Sequence, residues 1–178
     1  MSRDVAPQPE LPLSVVERLE ALLAARDRAN MAPTIDALLP ILEAYPGNAR
    51  VLYEVGGAFD TAGEETSARD YYERALSAGL SGDERRRCFL QYGSTLRNLE
   101  ELDASLAVFE RARDEFPDSP SVRAFEAITL HAAGRADESV ASLLELAAIH
   151  VGAEEIRRYV PALLGNAVWI REQAKTAE

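Results

Sequence analysis

One pattern recurs along this chain at a near-constant interval, and it limits the fold more than any other feature. Leu52, Gly56, Phe59, Tyr72 and Ala75 stand 37 positions before Phe89, Gly93, Leu96, Phe109 and Ala112, and Ala68 stands 37 before Ser105. A further 34 positions on come Ala127 for the glycine, Leu130 for the large apolar residue, Gly134 for the turn and Leu143 for the aromatic. Pro46 and Pro117 close two of these segments at the same phase. A period in the thirties, with apolar residues at helical spacing inside each period, describes a helical hairpin that cannot bury its apolar face alone and must stack on its neighbours.

The spacing carries its own physics. Gly56, Gly93 and Ala127 fall where two helices of one hairpin approach, and a larger side chain there pushes the axes beyond the usual 8–10 Å. Tyr72, Phe109 and Leu143 are expected to fill the space towards the next hairpin. Gly63 and Gly134 suit a sharp turn between helices. Glu100 takes that place in the middle segment, so a different turn is expected there. Ser81–Glu84 has the form of a capping box and starts the next helix near Gly82 or Asp83.

The segments VLYEVGGAFDTAGEETSARDYYERAL, CFLQYGSTLRNLEELDASLAVFERARDEFP and VRAFEAITLHAAGRADESVASLLELA resemble the tetratricopeptide repeat. The whole chain is similar to a family of short bacterial tetratricopeptide proteins that end in one extra helix. The resemblance implies an all-α fold: a right-handed superhelix of three to four hairpins with a C-terminal capping helix. The expected organisation is a mobile arm over 1–11, then one domain over 12–178. That domain divides into a degenerate repeat at 13–48, repeats at 49–82, 86–119 and 120–151, and a capping helix at 152–174. In the degenerate repeat, Val15, Val16, Leu19, Leu22 and Leu23 form one helical face, and Ile35, Leu38, Leu39, Ile41 and Leu42 form the next. Ile156, Tyr159, Val160, Leu163, Leu164 and Trp169 are expected to cover the end of the stack. Glu126 stands where a Leu-like residue is expected, with Arg123 one turn earlier as its expected partner.

Composition bounds the function. Acidic residues number 30 against 19 basic ones, a formal charge of −11, which repels phosphate backbones. The one basic run, Arg85–Arg87, follows Asp83 and Glu84 and reads as a solvated helix start. Nucleic acid and membrane partners are therefore not expected. A single cysteine, Cys88, rules out an intramolecular disulfide; it reads as a packed thiol, with a reactive one beside the arginines as the alternative. The first residues, MSRDVAPQPELPLSVV, lack a continuous apolar run and do not read as a signal peptide. The expected location is cytoplasmic. No metal-binding, nucleotide-binding or nucleophile motif is present, so no catalytic residue, cofactor or metal is expected.

The resemblance implies that the first helix of each hairpin lines a concave, peptide-binding groove. By phase this gives Arg50, Tyr53, Gly57, Asp60 and Thr61, then Arg87, Leu90, Ser94, Arg97 and Asn98, then Ser121, Ala124, Ile128, His131 and Ala132. Arg50, Arg87 and Arg97 make that groove locally basic, which suits an acidic segment or a C-terminal carboxylate. Equally, the arginines could pair with Asp60 or neighbouring acids and bind nothing. Tyr53 and Gly57, like Leu19 and Leu23, occupy the places of the Lys and Asn that clamp chaperone tails, so that ligand is not expected. The leading function is a non-enzymatic protein- or peptide-binding adaptor. Two further readings stand beside it: a self-associating protein that pairs through its C-terminal helix, and an enzyme or small-molecule sensor using Glu126, Arg123 and His131.

Overall fold

The computed structural model describes residues 11–176. The arm expected over 1–11 lies almost entirely outside them. Ten helices occupy the described residues: α1 (Leu13–Ala25), α2 (Ala32–Ala44), α3 (Ala49–Thr61), α4 (Glu65–Ser77), α5 (Gly82–Asn98), α6 (Leu102–Glu115), α7 (Pro120–Ala132), α8 (Ala136–His150), α9 (Glu154–Arg157) and α10 (Val160–Thr176). They are arranged as helical hairpins of the tetratricopeptide type. Two compact units result, Met1–Leu99 and Glu100–Glu178.

In the first unit, α1 packs on α2, α2 on α3, and α3 and α4 form a tight hairpin against α5. Leu19, Ile35, Leu38, Ile41, Val51 and Val55 make one buried cluster. Pro33 sits in the first turn of α2, and the helix continues past the exposed Pro40. Gly56 is the contact point of the second hairpin. A Cβ built there would lie 2.9 Å from Cδ1 and 3.0 Å from Cε1 of Tyr72. Tyr72 is fully buried, and so is Phe89. In the second unit α6 packs on α7, α7 on α8, and α8 on α10. Its core holds Val108, Phe109, Val122, Ala127, Leu130 and Ala141.

Local chemistry explains the helix ends. Asn48 caps α3 by accepting from the amides of Arg50 and Val51, both at 3.1 Å. Ser119 caps α7, with Pro120 in its first turn. Gly63 and Gly134 adopt left-handed backbone, φ 80° and 77°. The amides after them, of Glu64 and Arg135, reach back to the carbonyls of Phe59 and Leu130 at 2.9 Å. That six-residue closure ends each helix sharply.

Four sequence expectations are corrected. Glu100 makes no different turn: it takes φ 63°, the same left-handed state as its glycine counterparts, at the expense of Cβ strain. The capping box at Ser81 does not form. Its side chain accepts no capping bond, and Gly82 opens α5 with φ 62°, so backbone freedom shapes this entry in place of a hydroxyl. Glu126 does not pair with Arg123; it accepts from Arg113 of α6 at 2.6 Å, because the buried face of α7 packs against α6. Leu143 does not fill its space as Tyr72 and Phe109 do. It is 46% exposed where both of those are fully buried.

The end of the chain also departs from a single covering helix. The short α9 and a turn precede α10. Ala167 is buried and Val160, Leu163 and Ile170 are half-buried, but Tyr159, Leu164 and Trp169 are exposed. No described helix is long and apolar enough to cross a membrane.

Candidate functional site

A cavity of about 460 Å³ opens in the first unit. Its walls come from the α1–α2 connection (Arg26, Arg28, Met31), from α3 (Arg50, Tyr53, Glu54, Gly57, Asp60, Thr61) and from α5 (Glu84, Arg87, Gln91), with Leu23 of α1 beside them. Helical spacing on α3 places Arg50, Tyr53, Gly57 and Asp60 on one stripe, and residues 84, 87 and 91 make the facing stripe of α5. The site is a cleft between two first helices of adjoining hairpins, with an apolar floor of Leu23, Met31 and Tyr53.

Its electrostatics separate occupied charges from available ones. Arg50 is occupied: it donates to Glu54 at 2.6 Å and makes an ion pair with Glu84. Burial pushes its guanidinium down, but Glu54 and Glu84 together outweigh that and raise it. Burial likewise raises Glu54, against the pull of Arg50. Asp60 is occupied too. It accepts from the Tyr72 hydroxyl at 3.1 Å and from the Thr95 hydroxyl at 3.2 Å. Burial holds its carboxyl above the usual range, eased by the Tyr72 bond and reinforced by Glu65. Tyr53 is pushed up to about 12 by burial, so it stays a neutral phenol at any physiological pH.

The remaining cations are available. Arg28 makes no ion pair among the described residues, and Arg26 spends one nitrogen on the Leu23 carbonyl at 2.9 Å. Arg87 uses only Nε, on Asp83 at 2.9 Å, and is half exposed. Gln91 adds a buried side-chain oxygen with no hydrogen-bond partner. A cleft of this kind offers guanidinium donors and one amide acceptor, while its own acids are already satisfied.

Six groove residues named from the sequence line this cavity: Arg50, Tyr53, Gly57, Asp60, Thr61 and Arg87. Leu90, Ser94, Arg97 and Asn98 lie on α5 but not in its wall. Asn98 donates to Glu65 at 2.8 Å. Ser94 Oγ and Arg97 Nη1 are buried without hydrogen-bond partners, and burial lowers the Arg97 guanidinium despite Glu65 nearby. Ile128 and His131 are exposed on α7 of the second unit, as is Ala132, while Ser121 and Ala124 are half-buried. Arg26, Arg28, Met31 and Glu84 escaped the sequence reading. The degenerate first repeat carries no glycine at the small position and no aromatic at the aromatic position to fix its phase, so the contribution of Arg26, Arg28 and Met31 to the wall carried no signal.

The second unit holds a cavity of about 490 Å³, lined by Arg113, Glu126, Arg135, Glu138 and Arg171 among others. Its cations are each engaged: Arg113 with Glu126, Arg135 with Glu138 at 2.5 Å, and Arg171 with Glu145. Arg123 and His131 do not line it, so the trio of Glu126, Arg123 and His131 does not assemble. Among the described residues no group of three or more His, Cys, Asp or Glu side chains could hold a metal ion. Cys88 is fully buried and its thiol is pushed up to about 12 by burial. Arg85 lies over the Phe89 ring and donates to the Leu76 and Leu80 carbonyls, and Arg86 and Arg87 share Asp83. Arg85 and Arg86 are thus spent on the helix before and on their own helix, while Arg87 commits only Nε.

Residues 49–162 match the family model of the tetratrico peptide repeat. The chain belongs to the tetratricopeptide repeat family. Among solved structures it is similar to YrrB, described as a tetratricopeptide protein with an unusual peptide-binding site. The two are 22% identical over 93% of this chain and 86% of that one, with a TM-score of 0.53. No curated protein matches the sequence. The tetratricopeptide fold serves protein or peptide binding in general. In this tetratricopeptide chain α3 and α5 supply most of the cavity wall and α4 none of it.

Proposed function

We propose that this chain is a non-enzymatic adaptor that holds an acidic segment or a C-terminal carboxylate of a protein partner in the cleft of its first unit. The observation that carries the proposal is the division of charge there. Glu54, Glu84 and Asp60 are held by Arg50, Tyr72 and Thr95, whereas Arg28, Arg26 and Arg87 keep free nitrogens on the same cavity. Guanidinium binds carboxylate through two parallel charge-assisted bonds, and the orphan oxygen of Gln91 suits a peptide N–H. The peptide-binding site ascribed to YrrB lends support to the mode of binding. The lone, buried Cys88 fits work in a reducing compartment such as the bacterial cytoplasm.

The test is titration of fluorescent peptides ending in acidic residues, each with a free or an amidated terminus. Arg28→Glu together with Arg87→Glu should weaken the best free-acid peptide by about tenfold or more, roughly 1.4 kcal/mol. Arg157→Glu, exposed in the second unit, should leave it unchanged. Equal affinity of wild type and the Arg28/Arg87 variant for every peptide refutes the site.

A further inference from the structure

Nothing inside the chain requires glycine at position 57. Gly57 lies in the interior of α3, where glycine weakens a helix relative to alanine. A Cβ built on it meets one atom within 4 Å, the Tyr72 hydroxyl oxygen at 3.8 Å, whereas its neighbour Gly56 is pinned by the Tyr72 ring. What Gly57 does face is the cavity of the first unit. The space there is walled: Leu23 and Met31 stand on the α1 side, Tyr53 and Thr61 along α3, and Gln91 on α5.

Two contacts fix the register of α3 against α5. Arg50 pairs with Glu84, 34 positions on, and Asp60 accepts from Thr95, 35 positions on. The same offset sets Gly57 opposite Gln91, and Tyr53 opposite Arg87. The one residue of the α3 stripe without a side chain therefore faces the one side chain of the cavity whose buried oxygen has no hydrogen-bond partner among the described residues. Arg87 stands one turn before Gln91, about 6 Å along the helix axis, a distance that an extended chain covers in about two residues. A glycine opposite an unpaired acceptor is a place where a ligand's main chain can come close and find a partner for its N–H. A helical ligand has no use for it. Its N–H groups are spent on its own carbonyls, and its side chains hold its main chain away. An extended segment keeps its N–H groups free.

We propose that the ligand enters the cleft as an extended segment, its main chain passing over Gly57 and donating one N–H to Gln91 Oε1, with the carboxylate held by Arg87 about two residues away. This rests on the assignment of the cleft to an acidic ligand. It makes the partner an unfolded acidic stretch of protein and not an amphipathic helix, and it makes Gly57 the residue that sets that choice.

Fluorescent acidic peptides in which one backbone N–H at a time is replaced by an ester oxygen test this. With wild type, one ester position, about two residues from an acid, should lose affinity by about tenfold, and the others little. In Gln91→Leu that position should cease to matter, as a double-mutant cycle registers. Gly57→Ala should melt higher than wild type and yet bind the peptides several-fold more weakly, and Gly57→Leu should bind them weaker still. A merely structural glycine would move stability and affinity together. The proposal is overturned by a flat ester scan, by an ester effect that survives in Gln91→Leu, by full affinity in both Gly57 variants, or by a stapled helical peptide that binds as tightly as its linear parent. Loss of binding in the Arg28→Glu and Arg87→Glu variant beside a flat ester scan sinks this inference alone. Unchanged binding in that variant sinks the reading of the cleft and this inference with it.

Discussion

Gly56 and Gly57 are neighbours on α3, and replacing each with alanine should have opposite effects. Alanine is favoured over glycine in a helix interior by about 1 kcal/mol. At Gly57 the new methyl would lie 3.8 Å from the Tyr72 hydroxyl oxygen, an ordinary contact. Gly57→Ala should therefore keep most of that gain, about 0.5–1 kcal/mol. At Gly56 the methyl would lie 2.9 and 3.0 Å from two carbons of the Tyr72 ring and 3.3 Å from Cβ of Tyr71. The ring cannot swing clear, because Tyr72 is fully buried and its hydroxyl is held by Asp60. Overpacking of this kind costs about 1–3 kcal/mol, so Gly56→Ala should be net destabilising by about 1–2 kcal/mol. Urea melts followed by circular dichroism give both values from midpoints at constant slope. In a Tyr72→Leu background the penalty at Gly56 should shrink or reverse, as a double-mutant cycle would register. Equal midpoint shifts of one sign for the two alanine variants would refute the account of Gly56 as the contact point.

Glu100→Gly should stabilise the protein by about 0.5–1 kcal/mol, since release of Cβ strain at φ 63° exceeds the added freedom of the unfolded chain; thermal melts check this. Arg171→Ala should lower stability at neutral pH. Hydrogen bonding from Arg171 holds the Glu145 carboxyl below its usual range, so the pair stabilises above the unfolded pKa and is lost as pH falls through the folded one. Urea midpoints of wild type and variant should differ at pH 7 and converge as pH falls through the lowered pKa of folded Glu145. Arg113→Ala strands the buried Glu126 carboxylate and should cost about 2–4 kcal/mol, more than Arg113→Met with Glu126→Leu together, in the same assay. Cys88 should resist a thiol reagent at pH 8 in the native protein and react fully in urea.

What the sequence made legible follows from locality. Gly56, Gly134 and Tyr72 recur at fixed offsets because each does a job inside one hairpin, and their packing and turns are as the offsets imply. Glu100 and Glu126 were visible as departures, but their resolution was not. The backbone of Glu100 tolerates what its neighbours' geometry demands. The partner of Glu126 sits on another helix, where only packing selects Arg113 over Arg123. The cleft was half legible. The phase of α3 and α5 marks Arg50, Tyr53 and Arg87, while Arg26 and Arg28 enter from a connection with no periodicity. Trp169 reads as core by composition, and only the position of α8 leaves it outside.

Asp60 joins three helices at one point: it belongs to α3, takes a hydrogen bond from Tyr72 of α4, and takes another from Thr95 of α5. Departure of α4 from α3 strands the buried Tyr72 hydroxyl, and departure of α5 takes from the half-buried Asp60 carboxylate a donor that Thr95 shares with the Gln91 carbonyl of its own helix at 3.0 Å, so their openings are coupled. In hydrogen exchange, the amides of α3, α4 and α5 should then open as one cooperative unit. A ligand seated in the cleft touches α3, α5 and the α1–α2 connection but no residue of α4, yet it would slow exchange along α4 to the same extent as along α3 and α5. A helix that never meets the ligand would report its arrival.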